Sequence, residues 1–183
     1  PNGTWSHGST VTSANGTDVI DRIGVLANGD LLVAGRACAG TAGLACNATF
    51  GSSLTLSKAS SGDHGLVFLA RITEAGVWQW ARQLNSEQPM QVLDVALQGA
   101  SVYVAVHHQG SVEVDGLDDP IAGQDREAVL IVEFDQSGTT VRSLSVQTTQ
   151  IIDEVASLCV NRQGEMHLAL TFGERLIAGE HVL

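Results

Sequence analysis

Two stretches of this chain can be laid over one another without a gap: GDHGLVFLARITEAGVWQWARQL, from Gly62 to Leu84, and QDREAVLIVEFDQSGTTVRSLSV, from Gln124 to Val146. In both, thirteen residues separate an aspartate from a turn glycine, Asp63 from Gly76 and Asp125 from Gly138. Leu66, Phe68 and Ala70 alternate with Val67, Leu69 and Arg71, while Ala128, Leu130 and Val132 alternate with Val129, Ile131 and Glu133. Both lanes are largely apolar, the pattern of a strand buried on its two faces. The turns TEAG and DQSG end in a glycine suited to positive φ, and an alternating strand follows each. A chain that writes the same hairpin twice is built from structural repeats.

The rest of the repeat follows from what flanks these hairpins. NGTDVIDRIGVLANGDLLVAG, MQVLDVALQGASVYVAV and IIDEVASLCVNRQGEMHLAL each read as strand, short turn, strand, with first strands at Ile20 to Val25, Val92 to Leu97 and Val155 to Val160. Short connections predict antiparallel pairing. GTWSHGSTVTS matches the strand that follows the turn glycine, so the chain starts on the outer strand of a preceding unit. Gly3, Gly76 and Gly138 mark periods of 73 and 62 residues, and the difference lies in a variable segment between the second and third strands. Insertions of this kind belong on an exposed face.

The predicted fold class is therefore all-β: a β-propeller-type array of four-stranded antiparallel blades, about two and a half to three of them, forming an incomplete ring. The units are expected at 1–75, 76–137 and 138–183, the last one truncated.

A family resemblance enters at VYVAVHHQGSVEVDGLDDPIAGQDREAVLIVEFDQSG. It resembles the repeats of exported bacterial β-propeller proteins called SBBP, or seven-bladed-propeller, repeats. Their pattern runs from a Val-Tyr-Val strand through a glycine, a short Val-x-Phe patch and an aspartate to a Phe-Val-Ala-Lys-Leu-like strand and a glycine before tryptophan. The first unit matches with LLVAG, TFGSSLTLS, GDHGLVFLARI and GVWQW, and the third with MHLALTFG. The glycine usual after the second strand is replaced by Val106 and Leu170 in units two and three. The resemblance implies a framework, with no catalytic signature.

Propellers close with four to eight blades, and an open end exposes strand edges that proteins normally cover. The expected partners are the remaining blades of a longer chain, further copies of the same chain joined head to tail, or another protein supplying strands. A protein or glycan ligand is expected as well.

Charge narrows the function classes. Twenty acidic against nine basic residues give a net charge of −11, which disfavours nucleic acid and anionic membrane surfaces. No apolar run reaches the roughly eighteen residues a membrane-spanning helix needs, so membrane insertion is not expected. Cys38 and Cys46, eight apart in RACAGTAGLACNA, are read as a disulfide, which places the protein in a secreted, extracellular, cell-surface or periplasmic setting. Cys159, inside the apolar run SLCV, is read as a buried, inert thiol.

No Gly-x-Ser-x-Gly elbow, phosphate-cradling loop or His-Glu-x-x-His run occurs. His107 and His108 are neighbours and face opposite sides of a strand; they are read as surface residues at its end, with a ligand role as the alternative. Asp115, Asp118 and Asp119 in DGLDDP are candidate calcium ligands, weighed against a solvated turn; no other cofactor is expected. Trp78 falls two residues after its turn glycine, as Trp5 does, so framework packing is its first reading. Trp80 is read as sharing a face with Trp78, where the two indoles could hold a sugar ring or a protein partner. The function expected is a non-catalytic scaffold or recognition module. The alternatives are a subunit of an edge-to-edge assembly and a fragment of a propeller enzyme with its active site at the central opening.

Overall fold

The computed structural model describes residues 8–40, 44–58, 65–122, 127–148, 157–171, 176–178 and 181–182. Trp5, Asp63 and Asp125 lie outside them. Within the described residues the chain is all-β, its strands pair antiparallel, and no barrel closes. No helix there is long and apolar enough to cross a membrane.

Two four-stranded meanders form the body. In the first, β2 (Thr17–Val25), β3 (Leu31–Ala39), β6 (Leu66–Ile72) and β7 (Trp78–Asn85) pair in chain order. In the second, β8 (Met90–Gln98), β9 (Ser101–Gln109), β11 (Glu127–Asp135) and β12 (Thr140–Thr148) do the same. A third pair, β13 (Ser157–Val160) and β14 (Met166–Ala169), repeats the first hairpin. The doubly apolar segments are the strands β6 and β11, buried on both faces as their sequence requires.

The turns between third and fourth strands are the same object twice. Thr73 N–H donates to Val77 O and Gly76 N–H to Thr73 O; Asp135 N–H donates to Thr139 O and Gly138 N–H to Asp135 O. Gly76 and Gly138 sit at φ 81° and 80°, where a side chain is strained. Just beyond each turn the register slips by one residue, between Arg71 and Ile72 and between Glu133 and Phe134.

The sheets exceed the expected four strands. The variable segment between second and third strands does not simply loop outward: it reaches back and pairs with the strand that comes just before its own first hairpin. β4 (Cys46–Phe50) pairs with β1 (Val11–Ser13) and carries β5 (Leu54–Lys58) beside it; β10 (Glu113–Val114) pairs with β7; β15 (Leu176–Ala178) pairs with β12 and carries β16 (His181–Val182). The first body sheet thus has five strands and the second six. These returning strands cover outer edges that would otherwise be open.

Three cores lie between the layers. One packs Leu32, Val67, Leu69, Trp80 and Leu84 of the first body sheet against Val92, Val104, Leu130, Val132 and Phe134 of the second. Another packs Phe68, Ile72 and Trp78 under Ala48, Phe50 and Leu56 of the β1–β4–β5 sheet, with Phe50 edge-on to Phe68 and to Trp78 at 5.0 and 5.2 Å. The third places Leu158 against Leu93, Ala105, Val129 and Ile131. First strands of successive units lie side by side, and Gly24 of β2 faces Leu97 and Val95 of β8.

Cys38 and Cys46 form a disulfide with Cα atoms 5.7 Å apart, tying the end of β3 to the start of β4. Cys38 has a φ of 57°, unusual for a side-chain-bearing residue, and Asp18 holds it there: its Oδ1 accepts the Cys38 N–H at 3.1 Å while Oδ2 accepts the Ser13 N–H at 2.9 Å. Cys159 is exposed, contrary to the buried reading. In a strand covered on one face only, its lane points outward while Leu158 points in.

Candidate functional site

A groove of about 520 Å³ lies where the β4–β5 hairpin, the strand β7 and the β11–β12 turn meet. Its lining comes from three consecutive residues of β5, Leu54, Thr55 and Leu56; from Arg71 and the run 79–82; and from Gln136 and Ser137 of the turn. A volume of this size suits a small ligand or a short segment of a larger one.

The register slip after the first turn creates this groove. Ile72 pairs with Trp78 and Arg71 with Trp80, so Gln79 is an extra residue and the two indoles fall on opposite faces of the sheet. Trp78 goes under Phe50, and Trp80 goes to the core shared with the second body sheet. The two indoles therefore do not stack on one face, as alternation alone had suggested, and both are more than nine-tenths buried. Trp80 still borders the groove.

Polar contacts fix the groove across the seam between units. Trp80 Nε1 donates to Gln136 O at 2.9 Å, and Arg71 Nη1 donates to the same carbonyl at 2.8 Å. Arg71 is also paired with the buried Asp30, donating from Nε at 2.9 Å and Nη2 at 2.6 Å. The Arg71 guanidinium, opposed by burial and helped by Asn28 and the Glu74 N–H, holds the Asp30 carboxyl below its ordinary range. Arg82 donates from Nε to Gly138 O at 2.6 Å and from Nη1 to Ala81 O at 3.0 Å, with its guanidinium carbon 5.9 Å from the Trp80 ring centre. Gly138 is required by this docking, because a Cβ there would sit 2.7 Å from Trp80 Cδ2.

The groove runs along strand edges. β5 ends its sheet, and β10 covers β7 only at Leu84 and Asn85, after which the Asp115 N–H donates to Gln83 O. Among the described residues, no strand pairs with the outer edge of β7 from Gln79 to Arg82, where Arg82 Nη1 takes the Ala81 carbonyl. Lys58, at the end of β5, donates from Nζ to Ser86 O at 2.6 Å.

The other predicted site residues are dispersed. His108 is fully buried, unlike the surface residue expected, and its Nδ1 donates to Gly110 O at 3.0 Å, a role that places the ring proton on Nδ1. Burial lowers its pKa from 6.5, the Gly110 carbonyl works against this, and the charge of His107 adds to it. His107 is half-buried on the opposite lane, with Nε2 at 3.4 Å from Glu127 Oε2. The pair sits in the middle of a sheet because β9 is flanked on both sides, by β8 and β11, out to His108.

Asp115 uses Oδ2 to accept the Gln83 N–H at 3.0 Å, ending the β10–β7 ladder, while Asp118 and Asp119 are exposed. No group of three or more His, Cys, Asp or Glu side chains is gathered at metal-binding distance among the described residues.

Sequence reasoning missed Arg71 and Arg82 altogether. The usable signal was that basic residues are few, and that two of the nine fall on the first copy of the repeated hairpin. Set against models of protein families, curated proteins and solved structures, the chain matches none of them.

Proposed function

We propose that this chain is a run of blades in a β-propeller-type array and serves as a non-catalytic scaffold and recognition module outside the reducing cytoplasm. One observation carries the recognition reading: the groove at the seam between units is lined by aliphatic, amide, hydroxyl, indole and guanidinium groups, and by no carboxylate, imidazole or thiol. Such a lining binds and orients; it holds no acid–base pair to turn a substrate over. The buried Cys38–Cys46 disulfide supports an oxidising setting. The four-stranded meanders, their side-by-side first strands and the two-layer cores support the blade reading.

The test is binding of the intact chain to arrayed surface glycans and arrayed peptides, beside a Thr55→Trp variant. Thr55 is an exposed residue of the groove wall, so an indole there fills the groove without entering a core. Binding in the wild type, reduced at least tenfold by the filled groove, is the expected result. Equal binding by both proteins would remove the groove from the account.

A second reading, assembly through the first unit's open face, is favoured by the side chains of β2. Ile20, Ile23 and Val25 are 45%, 62% and 65% exposed. By strand register they correspond to Val92, Val95 and Leu97 of β8, which pack against the first body sheet. The β1–β4–β5 sheet covers the outer half of this same face, and the apolar strip continues from it. A further β-sheet unit of the same kind fits there.

A further inference from the structure

We propose that the groove between β5 and β7 binds an extended peptide segment through one carboxylate, which Arg82 receives. The inference rests on the recognition reading above and names its ligand class. Three observations converge on it.

First, Arg82 carries a charge without a counter-charge. No Asp or Glu lies within 4 Å of it among the described residues, whereas Arg22, Arg36, Arg71 and Arg142 each have one. Its Nε and one Nη1 proton are fixed by the carbonyls of Gly138 and Ala81, and these two contacts hold the planar fork in place over Trp80. Of five guanidinium N–H groups, three stay free, enough for two-point reception of a carboxylate. Second, the lining contains no acidic residue although the chain as a whole is strongly acidic. The wider field repels polyanions, so the groove suits a ligand with one carboxylate on an otherwise neutral body. Third, the groove lies along backbone edges. Leu54, Thr55 and Leu56 are consecutive, as are Trp80, Ala81 and Arg82, and consecutive strand residues can border one groove only if it follows the strand's edge. Unpaired edges offer N–H and C=O groups to an incoming extended chain. A sugar has no use for that ladder, and this favours a peptide.

The experiment uses the intact protein and two pools of acetylated, C-terminally amidated hexapeptides, identical except that one holds a single Asp or Glu where the other holds Asn or Gln. Binding is followed by calorimetry, with tetragalacturonate as a separate probe. The acidic pool is expected to bind at least tenfold more tightly than the amide pool. Arg82→Gln should abolish the difference, and Arg162→Gln, at an exposed arginine remote from the groove, should keep it. Thermal melts check that each variant is folded, and the comparison of pools on the wild type stands without any variant. Equal binding of the two pools, or binding of neither, overturns the proposal. Binding of tetragalacturonate alone, sensitive to Arg82→Gln, overturns the peptide class but leaves the recognition reading standing.

Discussion

His108 is the clearest case of a side chain whose chemistry is set by its surroundings. The native state holds it neutral and buried, with Nδ1–H on Gly110 O and Nε2 without a partner. Because burial lowers its pKa below the ordinary 6.5, the unfolded chain takes up a proton near that pH which the native state refuses. Stability should be indifferent to this group above pH 6.5 and fall as the pH drops below it. The slope is at most about 1.4 kcal/mol per pH unit for one proton. Denaturant titrations from pH 7.5 to 5 should show the loss, and a His108→Gln variant should lack that part of it. Arg71 is the opposite case, a charge that is needed where it stands. Arg71→Leu leaves Asp30 a buried, unpaired carboxylate and should cost about 3 kcal/mol in urea unfolding, or somewhat less given the residual solvent contact of the pair. Asp30→Asn in the same chain should restore part of that loss. Gly138→Ala meets both a φ of 80° and the face of Trp80, and should cost roughly 2–3 kcal/mol by the same measurement.

Among the elements, the returning strands decide the most. Each one pairs with the strand that comes just before its own first hairpin, so both body sheets hold strands beyond their four-stranded meander. The first of them is stapled where it leaves β3, by a disulfide that closes a separation of eight residues. Replacing both cysteines by serine should cost roughly 2–3 kcal/mol for so short a loop. The loss should be local: hydrogen exchange should rise first in β4 and β5, the hairpin that forms one wall of the groove. If exchange instead rises evenly through β6 and β11, the staple serves the whole fold and not the hairpin. The slipped register at Gln79 works at the same scale. A single extra residue sends Trp78 and Trp80 into different cores and leaves Gln79 and Trp80 on the groove wall opposite β5.

At the scale of the whole molecule, β2 gathers three of the seven exposed large hydrophobics of the described residues onto one strand. Ile23→Asp with Val25→Asp should leave the fold intact, since both side chains are more than half exposed. If that face takes a further sheet from another copy, the wild-type mass in sedimentation will rise with concentration, and that of the variant will not. A wild type that stays monomeric at every concentration would exclude self-association there.

The principal strands, their antiparallel pairing and the Cys38–Cys46 bond were legible in the order of residues alone. Periodicity and turn glycines report local burial, and local burial was repeated often enough to be read. Leu66 to Ile72 and Ala128 to Phe134 could be placed because both of their lanes are apolar. Where the variable segments go had to come from the packed fold, because two- and five-residue strands such as β10 and β5 leave almost no periodic trace. That fold also decided that His108 lies inside and Cys159 outside, and that Trp80 parts from Trp78. Each of these outcomes turns on which neighbouring sheet covers a face or on a one-residue slip in pairing, and a side chain's own alternation carries no record of either.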